Sequence, residues 1–171
     1  MIPKPRRVAF HQAGHAVVQT IVGSRRFAVN RVSIDVEPVE SWRGLPPQGE
    51  AVLDREVILG LYEFGLVTLA GIAAEERYLA DEPQDGEPVV AMSDLAAWQE
   101  QAWDMLQSEA RVDLVSRNIM RRLQEWMEDG SVWRVVECLA DALLAESTLQ
   151  GELLRQILLP VVAGKECDVL R

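Results

Sequence analysis

Histidine is almost absent from this chain of 171 residues, which has only two. Cysteine is equally scarce: Cys138 and Cys167 lie far apart and form no CxxC pair. That scarcity excludes a disulfide framework and a cysteine zinc site, and both side chains read as reduced thiols of an intracellular protein. No apolar run approaches the roughly 18 residues that a membrane-spanning helix needs, so no membrane span is expected. No G-x-x-x-x-G-K-[ST] loop occurs, which removes nucleotide-driven work from the chain itself. Repeats and low-complexity tracts are missing too, and at 49% hydrophobic content the chain is too apolar to be disordered. Acidic residues are missing from the first 34 positions, which carry Lys4, Arg6, Arg7, Arg25, Arg26 and Arg31, whereas all 27 Asp and Glu follow. The net charge of −10 therefore sits on an acidic bulk that repels phosphates, and no nucleic-acid partner is expected. The basic end has two outlets, a partner or the protein's own acidic face, and the second is the simpler.

What is present suits one domain over residues 1–171, with an expected fold that is mostly α plus a small β-strand or hairpin element. Lys4-Pro5-Arg6-Arg7 ahead of an apolar-leaning stretch has the outline of a signal peptide. Val8 to Val22 is broken by His11, Gln12, Gly14, His15, Gln19 and Thr20, however, and is read as a helix of the mature fold over about Arg7–Val22. Val32, Ile34 and Val36 alternate with polar neighbours, which predicts a half-buried strand from Val29 to Glu37. A loop follows over Glu40–Gly49. A long helical stretch then runs from Leu53 to Ala80, with possible breaks at Gly60, Gly65 and Gly71. Asp81–Pro88 reads as an acidic loop, and Ser93 as the cap of a helix to about Arg111. Further helices are expected over Val112–Glu128, from a Ser131 cap to Glu146, and from Gln150 to a stop at Pro160. The pairs Trp98 and Trp103, and Trp126 and Trp133, read as core or subunit-contact residues.

The two histidines are four apart, in His11-Gln12-Ala13-Gly14-His15. On a helix that spacing puts both imidazoles on one face, where they can converge on a single ion. Spacing alone leaves two readings open: a metal-binding pair, or two core or surface histidines without metal.

Five stretches in order bear on that choice. Val8 to Val18, around His11 and His15, resembles the zinc-binding helix of FtsH-type ATP-dependent metallopeptidases, whose pattern is H-E-x-G-H. Val32-Ser33-Ile34 resembles the strand that follows it. Leu69-Ala70-Gly71-Ile72-Ala73-Ala74-Glu75-Glu76 is similar to the family's G-G-R-A-A-E-E segment, departing at Ala70 and Ile72. Ser93-Asp94-Leu95 is similar to S-N-D-L with one residue missing, and Leu143 to Glu152 resembles the C-terminal L-L-x-x-E-T-L-x-G-E. The resemblance implies a helical zinc-peptidase domain that acts on unfolded polypeptide or peptide in the cytoplasm, as a homo-oligomer or beside a separate ATPase partner. It also implies that Asp94 joins His11 and His15 as third ligand, with zinc as the cofactor. Glu76 is the rival, since other zinc peptidases use a downstream Glu, and Asp94 alone would read as a first-turn acid favoured by the helix dipole.

The informative departure is Gln12, where the family has its general-base Glu. A carboxylate takes a proton from metal-bound water, and a carboxamide near neutral pH does not. Gln is nearly isosteric with Glu, so zinc is expected to bind while hydrolysis is weak or absent. Full activity is expected only if Gln12 is an introduced change or if Glu75 or Glu76 supplies a substitute base. The alternative is a non-catalytic module, derived from a peptidase fold, that binds a peptide or partner. The stretch between Asp94 and the C-terminal helices is also shorter than in the family.

Overall fold

The computed structural model describes residues 5–23, 29–35, 55–85 and 92–164. Helix α1 (Pro5–Gly23) is followed by strand β1 (Arg31–Ser33) and the long helix α2 (Arg55–Asp81). After a single 3-10 turn at Pro83–Asp85 come α3 (Met92–Leu106), α4 (Glu109–Glu128) and α5 (Gly130–Glu146). Strand β2 (Thr148–Gln150) and helix α6 (Gly151–Gly164) complete the order. The fold is thus mostly helical with one small antiparallel sheet, as the hydrophobic patterning predicts.

Helix α1 lies at the centre. From Ala13 to Gly23 every side chain is buried, because α2 packs along one flank while α5 and α6 cover others. The crossing of α1 on α2 is close, and Gly14 makes it so. A methyl group at position 14 would lie 2.5 Å from the Ala74 Cβ and 2.8 Å from the Ala70 carbonyl oxygen. Small residues on both helices therefore let the two backbones approach, and the core closes around Phe10, Val17, Ile21, Leu66 and Leu69. Phe10 also stacks on Tyr78 at 4.3 Å and on Trp133 at 5.4 Å between ring centres, which ties α1 to α2 and α5.

Helix α2 runs unbroken through Gly60, Gly65 and Gly71. Two of these glycines mark close approaches rather than breaks. At Gly65 the Trp98 ring occupies the room of a side chain, lying 2.6 Å from where a Cβ would be. Trp98 is fully buried there and donates its indole N–H to Ser116 Oγ at 2.8 Å, so α3 is pinned between α2 and α4. Trp126 and Trp133 are likewise buried, whereas Trp103 is 52% exposed and is no core residue.

Several boundaries differ from those expected, each for a local reason. Met92 and Ser93 already lie within α3, which ends at Leu106 rather than Arg111 because Gln107 turns to a positive φ of 49°. Ser108 then caps α4, with its hydroxyl accepting from the Arg111 N–H. The cap of α5 is Asp129 rather than Ser131: its carboxylate accepts from the N–H groups of Ser131 and Val132. Pro160 lies inside α6, which continues to Gly164 and buries Val161. Proline costs a helix one hydrogen bond at that point, and burial of the following turn offsets it. Thr148 and Leu149, expected to connect two helices, and Gln150, expected to open the second, instead form β2.

Strands β1 and β2 pair antiparallel with Arg31 opposite Gln150, Val32 opposite Leu149 and Ser33 opposite Thr148. Val32 and Leu149 point inward together, and the Ser33 and Thr148 hydroxyls meet at 2.8 Å. Arg31 and Asp35 are exposed, in keeping with the alternation, while Val36 and Glu37, the Glu40–Gly49 loop and Gly86–Pro88 lie outside the described residues. Among the described residues, no helix is long and apolar enough to cross a membrane.

Two glycines test the role of the α1–α2 crossing. Gly14→Ala should lower unfolding free energy in urea by roughly 1–3 kcal/mol, the usual cost of overpacking. Gly130→Ala, where an added methyl meets nothing within 4 Å, should be neutral or slightly stabilising in the same titration.

Candidate metal centre

An α-helix returns to nearly the same face every fourth residue, and α1 uses this for Arg7, His11 and His15. Helix α2 does the same with Val67, Gly71 and Glu75. The two stripes face each other in antiparallel register. Arg7 meets Glu75, His11 and His15 meet Gly71, and His15 meets Val67. Asp94 arrives from a third direction, on the first turn of α3, one turn ahead of the Trp98 anchor.

These elements bring together His11, His15 and Asp94, the three residues singled out as ligands. His11 Nε2 lies 2.9 Å from Asp94 Oδ2, His15 Nε2 lies 3.1 Å from the same oxygen, and the two nitrogens are 3.2 Å apart. Glu76 is not a member of this group among the described residues. It stays half-buried on α2 with its pKa raised by burial and by the charge of Glu75.

The outer partners decide what the three atoms can do. His15 Nδ1 lies 2.7 Å from the Val67 carbonyl oxygen, which only accepts, so the proton sits on Nδ1 and Nε2 presents its lone pair. His11 Nδ1 lies 3.4 Å from Glu75 Oε2, and Glu75 Oε1 in turn accepts from Arg7 Nε at 3.0 Å and from the same guanidinium's Nη2. Both oxygens of Glu75 are therefore engaged. Arg7, one of the basic residues of the N-terminal segment, thus pairs with a buried acid of the same chain.

Three such atoms this close need either protons or a cation between them. Tetrahedral ligation with bonds of about 2.0–2.1 Å places neighbouring ligand atoms about 3.3 Å apart, and octahedral ligation about 2.9 Å. The observed 2.9, 3.1 and 3.2 Å fall in that range. Two imidazoles and one carboxylate suit a borderline transition metal and not calcium, which takes oxygen ligands. Room for an ion also exists, because residue 71 has no side chain: a Cβ there would lie 2.5 Å from His11 Nε2 and 2.6 Å from His15 Nε2. The group could therefore hold a metal ion.

Without metal, protons substitute in part. Burial disfavours a charged His11, but its hydrogen bonds to Asp94 and Glu75 outweigh that and push the pKa up to about 9. Burial also disfavours a charged Asp94, and its close contacts with His11 and His15 hold its carboxyl well below the usual range. Glu75 is likewise lowered, by His11 and Arg7 against the effect of burial.

Gln12, next to His11, is half-buried, and its Oε1 is enclosed without a hydrogen-bond partner. Arg7 and Glu75 were not singled out as a pair by sequence reasoning. The signal was nonetheless there, in the spacing of four from Arg7 to His11 to His15 and from Gly71 to Glu75. No protein-family model and no curated protein matches the chain.

Two outcomes follow from this geometry. Gly71→Ala should weaken metal binding roughly 10-fold or more while leaving helix content by circular dichroism unchanged, because the added methyl displaces both rings. In the metal-free protein, the stabilisation from a protonated His11 is full below its ordinary pKa of 6.5 and is lost as pH rises through about 9. Asp94 contributes above its ordinary value of 3.8 and loses that contribution as pH falls further. Thermal melts of chelator-treated protein should therefore fall off on both sides of that window, and His11→Ala should flatten the alkaline side.

Proposed function

We propose that this chain is a zinc metallopeptidase-like domain of the FtsH type whose centre binds metal but hydrolyses peptides weakly or not at all. The observation that carries the reading is the convergence of His11, His15 and Asp94 on one point, with space left beside Gly71. Zinc is the ion that best matches two imidazoles, one carboxylate and an open fourth position. When bound, it polarises a peptide carbonyl and acidifies a water molecule. The protein's own part is to orient both imidazoles, through Val67 and Glu75, and to hold Asp94 ionised.

What the described residues lack is a base beside that centre. Gln12 occupies the family's Glu position and accepts no proton near neutral pH. Glu75, the other carboxylate beside His11, has one oxygen on Arg7 and the other facing the imidazole. General-base catalysis typically contributes 10²–10⁴-fold, about 3–5 kcal/mol of barrier, so its loss leaves a centre that binds better than it cuts. This favours a second reading of the same site, a module that retains a peptide or partner without cleaving it. In either reading the ligand is an unfolded polypeptide or peptide, an ATPase that unfolds it would be a separate protein, and self-association follows the family habit. A cytoplasmic location belongs to the same proposal and is supported by the free thiol of Cys138.

Metal content by elemental mass spectrometry is the first test. About one zinc per chain is expected, and none in His11→Ala. In the zinc-loaded protein, Gln12→Glu should raise cleavage of casein or a flexible peptide by roughly 10²–10⁴-fold, abolished by chelator. Zinc binding with no cleavage by Gln12→Glu across a panel of unfolded substrates would leave the binding module. Absence of metal from the parent would end both versions of the metal reading.

A further inference from the structure

We propose that Arg7 and Glu75 form a buried positioning pair for His11, fixing its ring so that Nε2 faces Asp94 and His15; the inference rests on the metal reading above. Neither residue touches the converging point, so they act through His11 and not on a substrate.

Arg7 is only 4% exposed and the Glu75 side chain 9%. Taking a guanidinium and a carboxylate out of water costs several kcal/mol per ion, and a buried pair often stabilises a fold no better than apolar residues of the same size. Stability is thus a poor reason for the pair to be there. What it does to His11 is specific. Glu75 Oε1 is held by two donors of Arg7, which leaves Oε2 turned toward His11 Nδ1 at 3.4 Å. A ring with its proton drawn to Nδ1 offers the lone pair of Nε2, and that nitrogen lies 2.9 Å from Asp94 Oδ2.

His15 provides the internal comparison. Its Nδ1 is oriented by the Val67 main-chain carbonyl at 2.7 Å, an acceptor that helix α2 supplies without any side chain. For His11, one turn earlier on α1, the corresponding acceptor is a side chain, that of Glu75, two turns beyond Val67 on α2. A free carboxylate there could swing away, and Arg7 restrains it by occupying the other oxygen. The stripes at positions 7, 11 and 15 on α1 and at 67, 71 and 75 on α2 carry the entire arrangement.

Two charge-free double variants of the full chain test this, with zinc alone as the probe. Arg7→Met with Glu75→Leu removes the pair and the acceptor, leaving no buried charge behind. Arg7→Met with Glu75→Gln removes the same charges but keeps an oxygen for the Nδ1 proton. Zinc affinity is read by competition with a chromophoric chelator, and ligand geometry by the visible spectrum of the cobalt(II)-loaded protein. The leucine variant should melt near the chelator-treated parent yet bind zinc roughly 10–100-fold more weakly, with an altered cobalt spectrum. The glutamine variant should stay within about 3-fold of the parent and keep its spectrum, since the acceptor that orients the ring is retained. A folded leucine variant with parental affinity overturns the proposal, as does an equal loss in both variants. Arg7→Met with Glu75→Met replaces a leucine variant that fails to fold and is judged by the same criterion. If the parent itself binds no zinc, the metal reading fails and the proposal goes with it, an outcome distinct from the two above.

Discussion

The antiparallel register of α1 against α2 is the constraint on which the rest of the structure depends. It matches Arg7 to Glu75, the histidine pair to Gly71, and His15 to Val67, in steps of four residues along each helix. A rise of 1.5 Å per residue makes each step about 6 Å, so the side chains repeat on both helices with the same spacing. The two backbones must also come close, and Gly14 against Ala70 and Ala74 permits this. Slipping the helices by one turn would put Val67 or Glu75 opposite the wrong imidazole. Core packing and site geometry are therefore the same feature viewed from two sides.

The remaining helices serve that pair in different ways. Helices α5 and α6 bury the flanks of α1, which lets a helix with histidine, glutamine and threonine along it sit at the centre of the protein. Helix α3 brings Asp94, and its placement is set by Trp98 filling the gap at Gly65 and bonding to Ser116 on α4. The acid is delivered at the start of a helix, where the dipole already favours a negative charge. One buried indole thus governs where a carboxylate four residues away comes to rest.

Much of this was legible in the sequence, and the reasons are local. The spacing of His11 and His15 declares a shared helical face, and the alternation through Val32 declares a strand. Asp94 was legible only by resemblance, since 79 residues separate it from His15 and no pattern of periodicity spans that distance. The pairing of Arg7 with Glu75 was missed for the same reason, although each residue lies on a visible stripe. Strand β2 was illegible because three residues carry no periodicity and their extended form is imposed by β1. Helix ends were misplaced where polar residues compete: Asp129 precedes Ser131, and both can cap. Glycines in α2 read as breaks from composition alone, whereas Gly65 and Gly71 mark where other side chains press against the helix.

The long sequence separation within the cluster also bears on how the protein is made. Both imidazoles leave the ribosome before the carboxylate, which follows only after 83 further positions from His11. Between them lies the whole of α2, whose register with α1 must be settled before the three atoms can meet. A nascent chain that stops short of α3 holds two histidines without their acid. On the metal reading proposed above, loading waits for α3 and is coupled to the closing of a long loop, whose entropy cost grows only slowly with length. An ion that binds the closed form alone would then draw the folding equilibrium toward it by mass action.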